Sequence, residues 1–136
     1  MIGRVLDSSA LIAWGRRSSP YVDAVIFSRA EHQGYIVPVV TTAAALAVAL
    51  AQLPGTSVAT VETLLSMEIS LVDDLTPDTA AAVAETLRRA GSQAAEHVTA
   101  ATVVRAARHR SLPVVTSNPH PLTVLWSDVA IDLIPG

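Results

Sequence analysis

The chain has 136 residues, of which 51% are apolar, 4% are aromatic and 15% are charged, and its formal net charge is −3. This length suits one domain with a full hydrophobic core, and we expect residues 1–136 to form a single domain. The sequence has no cysteine and no lysine. It therefore excludes a disulfide scaffold, a thiolate metal site, a Walker A phosphate loop and Schiff-base chemistry on lysine.

An uncharged stretch runs from Gln33 to Val61 and raises the question of a membrane span. A transmembrane helix needs about 20 mainly apolar residues, and Ile36–Leu53 approaches that length. This segment contains a proline near one end, is built of alanine rather than leucine, and has no flanking arginine cluster. We therefore expect a strand followed by a helix, in a cytoplasmic protein with no membrane segment.

Short apolar runs alternate with helical patterns along the chain. Strands are predicted at Ile2–Leu6, Ile36–Val40, Ile69–Val72, Leu112–Thr116 and Val129–Ile134. Helices are predicted at Ala10–Trp14, Tyr21–His32, Ala43–Leu53, Val58–Ser66, Pro77–Ala90 and Ala94–Arg110, and a loop or short helix at Pro119–Trp126. The strand runs lack strict alternation, which favours strands buried on both faces of a parallel sheet. The predicted fold is α/β, an α/β/α sandwich with a mostly parallel sheet of four to five strands.

Ligands of open α/β sheets bind outside the carboxyl ends of the strands. The polar residues that follow the predicted strands are Asp7, Ser8 and Ser9, then Thr41 and Thr42, then Asp73 and Asp74, and finally Thr116, Ser117 and Asn118. Asp7 is the most informative of these, because a charge directly after a buried strand is costly to desolvate. It is either the N-cap of the following helix or a metal ligand.

The order and spacing of four segments resemble the PIN-domain family, in particular the small VapC-type toxin nucleases. The segments are Val5–Ala13, Ile36–Ala44, Ala100–Leu112 and Pro113–Asn118. The resemblance implies a PIN-like α/β/α fold and metal-dependent hydrolysis of RNA. In this family three or four carboxylates gather around Mg²⁺ or Mn²⁺, which are hard cations that prefer oxygen ligands and activate a water for attack.

This sequence departs from the family pattern at the metal site. Asp7 matches the first acid, but the second position falls on Ala44, the third on about Ala100, and the fourth on Asn118. Glu96 lies one helical turn before Ala100 and is a shifted replacement candidate. The candidate catalytic and metal-binding residues are therefore Asp7, Glu96 and Asn118. With most carboxylates missing, Mg²⁺ or Mn²⁺ binding is expected to be weak or absent.

The resemblance also suggests partners, namely RNA, an antitoxin-like protein and a second copy of the chain. Candidate RNA contacts are Ser8, Arg16, Arg17, Thr116 and Ser117, because they follow predicted strands or the first helix. A second basic group, Arg105–Arg110, ends the longest predicted helix. Positive charge is favourable at a helix C-terminus, and we prefer that reading to a phosphate-binding patch.

Two functions remain open. In the first, the chain is a PIN-like protein with a degraded acidic site that acts by binding RNA or protein. In the alternative, it is an active Mg²⁺- or Mn²⁺-dependent endoribonuclease that uses Asp7 and Glu96. A deep apolar pocket at the strand ends would favour a third class, a domain that binds small molecules.

Overall fold

A computed structural model describes residues 3–17, 38–91 and 97–136 of the chain. Within these ranges it contains one five-stranded parallel sheet, with the strand order β3-β2-β1-β4-β5. The strands are β1 (Arg4–Leu6), β2 (Val39–Thr42), β3 (Ser70–Asp73), β4 (Val114–Thr116) and β5 (Ile131–Leu133). The α/β class and the parallel sheet predicted from the sequence are thus confirmed.

Six helices flank the sheet in the described part of the chain. They are α1 (Ser8–Arg16), α2 (Ala43–Gln52), α3 (Gly55–Ser66), α4 (Pro77–Ala90), α5 (Val98–Arg110) and α6 (His120–Leu125). Helix α1 packs against α2 and α3, whereas α5 packs against α4 and α6. No helix among these is long and apolar enough to cross a membrane.

The direction of the chain across the sheet reverses between β1 and β4. From β1 the chain moves outward to β2 and β3, and then returns past β1 to β4 and β5. Because crossover connections are right-handed, the two directions place their helices on opposite faces of the sheet. The reversal leaves a crevice at the carboxyl ends of β1 and β4, which is where ligands of such sheets bind.

Local signals explain where the helices begin and end. The Asp7 side chain accepts from the Ala10 N–H, as expected for an N-cap, and the Thr42 hydroxyl accepts from the Ala45 N–H and caps α2. Thr76 forms a capping box at the start of α4, with Pro77 in the first turn, and Gly91 ends that helix in the left-handed conformation.

Several predicted boundaries differ from the observed ones. Helix α3 begins three residues earlier than the predicted Val58, because the Pro54 carbonyl accepts from the amides of Ser57 and Val58. The predicted helix Tyr21–His32 lies outside the described residues, as do Ile36 and Val37 of the second predicted strand.

The prediction that the strands are buried on both faces of the sheet is confirmed only for the inner strands. All residues of β1, β2 and β4 are buried. In contrast, β3 and β5 lie at the two edges of the sheet, where Leu71, Val72 and Leu133 are exposed. Burial on both faces was the wrong expectation for these two strands, because an apolar run alone does not reveal an edge position.

Truncating a core leucine and an edge leucine should change the free energy of unfolding by different amounts. Leu64 of α3 is fully buried, whereas Leu71 of β3 is 48% exposed. Leu64→Ala is expected to lower the free energy of unfolding by about 2–5 kcal/mol, because it leaves a cavity in the core. Leu71→Ala is expected to change it by less than about 0.5 kcal/mol. Urea denaturation followed by circular dichroism measures both, and equal losses would contradict this division.

Candidate functional site

The crevice between β1 and β4 opens into a cleft with a volume of about 410 Å³. Its described lining consists of Asp7, Ser8, Ser9, Val48, His97, Thr99, Ala100, Val103, Asn118, Pro121 and Leu122. Three of the positions singled out from the sequence as acid sites, Asp7, Ala100 and Asn118, therefore face one space. The lining is polar at the strand ends and at the start of α5, where His97 and Thr99 lie, and it is apolar at Val48, Val103 and Leu122.

Asp7 is held by donors from its own turn and from β4. Its Oδ1 accepts from the Ser9 hydroxyl at 2.6 Å and from the Ala10 N–H at 2.9 Å. Its Oδ2 accepts from the Thr116 hydroxyl at 2.5 Å. Both carboxylate oxygens are thus engaged within the protein, and the side chain is fixed between two neighbouring strands.

Ser9 connects the two sides of this arrangement. Besides donating to Asp7, its Oγ accepts from the Ser117 N–H at 2.9 Å and lies 3.2 Å from the Thr116 hydroxyl. The Thr116 hydroxyl in turn accepts from the Asn118 N–H at 2.9 Å. Sequence reasoning found these residues by their position after strands, but it assigned Thr116 and Ser117 to RNA contact. The fully buried Thr116 instead orients Asp7 from inside the fold.

Burial raises the pKa of the Asp7 carboxyl above its ordinary value. Desolvation is the largest cause, and it outweighs the hydrogen bonds from Ser9, Thr116 and Ala10, which lower the pKa. A cluster of cations would have the opposite effect. Among the described residues, the causes of this shift are burial and hydrogen bonds, without a charged neighbour.

The donor set for a metal ion is small. Asp7 is the one carboxylate among the described residues of the cleft lining, where Asn118 adds an amide and His97 an imidazole. The described residues contain no group of three or more histidine, aspartate or glutamate side chains that could hold a metal ion. Glu96 lies outside the described residues. Three ligands with a single formal charge fit Mg²⁺ or Mn²⁺ poorly.

Ala44 lies beside a different, much smaller space. That pocket holds about 10 Å³, enough for one water, and its described lining includes Thr42, Asp73, Thr102 and Arg105. The Thr42 and Thr102 hydroxyls are 2.9 Å apart, and Thr102 also donates to the Thr99 carbonyl at 2.6 Å. The position expected for the second acid is therefore outside the described lining of the Asp7 cleft.

The first pair of predicted RNA contacts lies away from the cleft. Arg16 is the last residue of the nine-residue helix α1 and Arg17 is its C-cap, whereas Asp7 is the N-cap at the other end, about 13 Å away at 1.5 Å per residue. The guanidinium of Arg17 lies 4.8 Å from the ring centroid of Trp14. Of the residues proposed to contact RNA, Ser8 is the one that lines the cleft.

The second basic group is largely engaged within the protein. The two terminal nitrogens of Arg110 each donate a hydrogen bond to one carboxylate oxygen of Asp73, both at 2.5 Å. The Arg108 guanidinium lies 5.7 Å from the ring centroid of Trp126. These contacts fit the structural interpretation of the helix end better than a free phosphate-binding patch. Sequence reasoning missed the Asp73–Arg110 pair, which joins residues 37 positions apart.

Among the comparisons with known proteins, the match comes from solved structures. No protein-family model matches the chain, and no curated protein matches it. Among solved structures, the crystal structure of FitAcB from Neisseria gonorrhoeae superposes with a TM-score of 0.56 and 18% sequence identity. The match covers 94% of this chain and 95% of that one. The chain therefore has a PIN-like fold, as the sequence motifs predicted.

The raised pKa of Asp7 predicts a specific pH dependence of stability. Because the folded pKa lies above the unfolded value of about 3.9, the folded state binds more protons between these two values. Asp7 therefore favours folding most at low pH, and this contribution is lost as the pH rises through the folded pKa. The stability of the wild type relative to Asp7→Asn should increase as the pH falls from 7 to 4. Urea denaturation across this range measures the difference, and a constant or decreasing difference would contradict the assignment.

Proposed function

We propose that this chain is a PIN-like protein that has lost metal-dependent ribonuclease activity and acts by binding a partner in the Asp7 cleft. The observation that carries this proposal is that both carboxylate oxygens of Asp7 accept hydrogen bonds from donors within the protein. The uncharged residues Ala100 and Asn118 line the same cleft. Removing negative charge from a divalent-ion site lowers its affinity for Mg²⁺. Without the metal, neither activation of a water nor stabilisation of the leaving oxygen is supplied.

The charge of the cleft favours a protein partner over RNA. Affinity for RNA depends strongly on cations that contact phosphates. The described lining contains a carboxylate and no arginine. Val48, Val103 and Leu122 provide apolar walls, and the strand ends provide polar groups, which together suit the side chains of a bound polypeptide. An antitoxin-like protein, as implied by the VapC resemblance, is therefore the partner class we propose, with RNA as the alternative.

Metal binding provides the first test. Calorimetric titration of the full chain with Mg²⁺ and with Mn²⁺ is expected to show no saturable binding up to about millimolar concentration. The same titration of Asp7→Asn should look identical, since this variant keeps an acceptor at the N-cap while removing the charge. Saturable binding that disappears in Asp7→Asn would contradict the proposal.

RNA cleavage provides the second test. The wild type, Asp7→Asn and Glu96→Gln are incubated with single-stranded RNA and Mn²⁺, together with Asp128→Asn as a control at an exposed acid outside the cleft lining. All four proteins are expected to give the same background. Cleavage that is lost in Asp7→Asn and Glu96→Gln but kept in Asp128→Asn would establish the alternative, an active endoribonuclease.

Restoring carboxylates should create a metal site. Ala100→Asp combined with Asn118→Asp places two further acids in the lining that already contains Asp7. We expect this double variant to bind Mn²⁺ saturably below about millimolar concentration, where the wild type shows no saturable binding, because affinity rises with the number of charged ligands. Ala44→Glu is the matched control, since Ala44 lines the smaller pocket. Equal affinity in the wild type and the double variant would show that the cleft geometry, rather than missing charge, prevents metal binding.

A further inference from the structure

The outer edge of β3 is open in the part of the chain that the structure describes. β3 pairs with β2 along its whole length, from Val39 opposite Ser70 to Thr42 opposite Asp73, and it is the last strand in the sheet order. The Val39 N–H donates to the Ile69 carbonyl at 2.9 Å. Because alternate residues of a parallel strand bond to the same neighbour, Leu71 and Asp73 continue this ladder. The backbone N–H and C=O of Val72 are therefore directed outward.

The side chains along this edge are exposed and apolar. Six large apolar residues are exposed among the described residues, and four of them, Met67, Leu71, Val72 and Leu75, lie within nine positions. Natural proteins protect edge strands with proline, charge or bulges. The residues Ser70–Val72 contain no proline and no charge, and Asp73 at the strand end is engaged by Arg110. An unprotected edge of this kind is a template for pairing with another strand.

The sequence segment that contains β3 carries one sign of charge, although Arg110 of α5 pairs with its Asp73. Residues 62–85 include six of the twelve acidic residues of the chain and no arginine, lysine or histidine. Glu68 lies just before β3, whereas Asp74 and Asp78 follow it, and all three are exposed. An apolar edge between acidic ends is complementary to an apolar strand that carries basic residues.

We propose that the β3 edge binds an extended segment of a partner protein in which apolar residues alternate with arginine or lysine. The segment adds a sixth strand to the sheet through the backbone of Val72, packs its apolar side chains on Leu71 and Leu75, and directs its basic side chains towards Glu68 and Asp74. This surface lies on β3, away from the Asp7 cleft between β1 and β4, and the inference holds whether or not the cleft binds metal.

A second copy of the chain fits this edge poorly. Two β3 strands paired about a twofold axis would bring the acidic ends of one copy opposite the acidic ends of the other. Like charges directly opposite in a sheet are destabilising. Charge complementarity therefore selects a basic partner strand rather than self-association through β3.

Three synthetic peptides of about six residues test the proposal with the full chain. In the first, arginine alternates with valine, in the second, glutamate replaces arginine, and in the third, proline replaces the central valines of the first. The arginine peptide is expected to bind in fluorescence anisotropy at least about tenfold more tightly than either of the others. Equal affinity for the proline peptide would overturn the proposal, because it would show that charge alone, without strand pairing, causes the binding.

Variants of the chain locate the site. Glu68→Arg should weaken binding of the arginine peptide severalfold, whereas Asp128→Arg, an identical charge change for an acid beside the opposite edge strand β5, should leave it unchanged. Hydrogen exchange measured by mass spectrometry should slow in the segment 67–75 when the arginine peptide is added. Unchanged exchange in this segment, or equal effects of the two variants, would overturn the assignment to β3.

Self-association is examined separately by sedimentation velocity on the wild type and Leu71→Glu. The two proteins are expected to have the same oligomeric state, because Leu71 is exposed and the β3 edge is proposed to bind a basic partner strand rather than a second copy of the chain. A wild-type dimer that dissociates in Leu71→Glu would assign the edge to a second copy and would overturn the proposal.

Discussion

The position of one carboxylate organises the centre of this molecule. Asp7 directly follows β1, caps α1 and accepts from Thr116 at the end of β4. A single side chain therefore joins the two strands between which the chain changes direction across the sheet. Ser9 reinforces the connection by holding the backbone of Ser117. These donors offset part of the cost of desolvating Asp7, and they give the residue a structural role at the junction of β1 and β4.

In this PIN-like fold, Asp7 is the one carboxylate among the described residues that line the cleft. Carboxylates gathered in one cleft repel one another unless a cation is bound between them. Ala100 and Asn118 in the same lining carry no charge, so no carboxylate among these described residues repels Asp7. The strand order forms the crevice, and the side chains that line it determine its chemistry. The fold alone therefore does not define the function.

Local features were predictable from the sequence, and distant pairings were not. Asp7 could be identified as a candidate N-cap because capping depends on neighbouring residues. The ion pairs Arg4–Asp132 and Asp73–Arg110 connect segments that only the tertiary fold brings together, with Arg4 Nε 2.7 Å from Asp132 Oδ2. The exposure of β3 was missed for the same reason, since its apolar residues look like those of a central strand until the strand order is known.

The strand order also governs when the sheet can be completed during synthesis. β1 lies in the middle of the sheet, and its Val5 pairs with Val114 of β4, which follows 109 positions later in the chain. At translation rates of about 5–20 residues per second, this partner leaves the ribosome about 5–20 s after β1. During that interval one side of the central strand has no native partner. A nascent chain of this topology therefore depends on late C-terminal residues to close its core, which makes truncated products prone to aggregation.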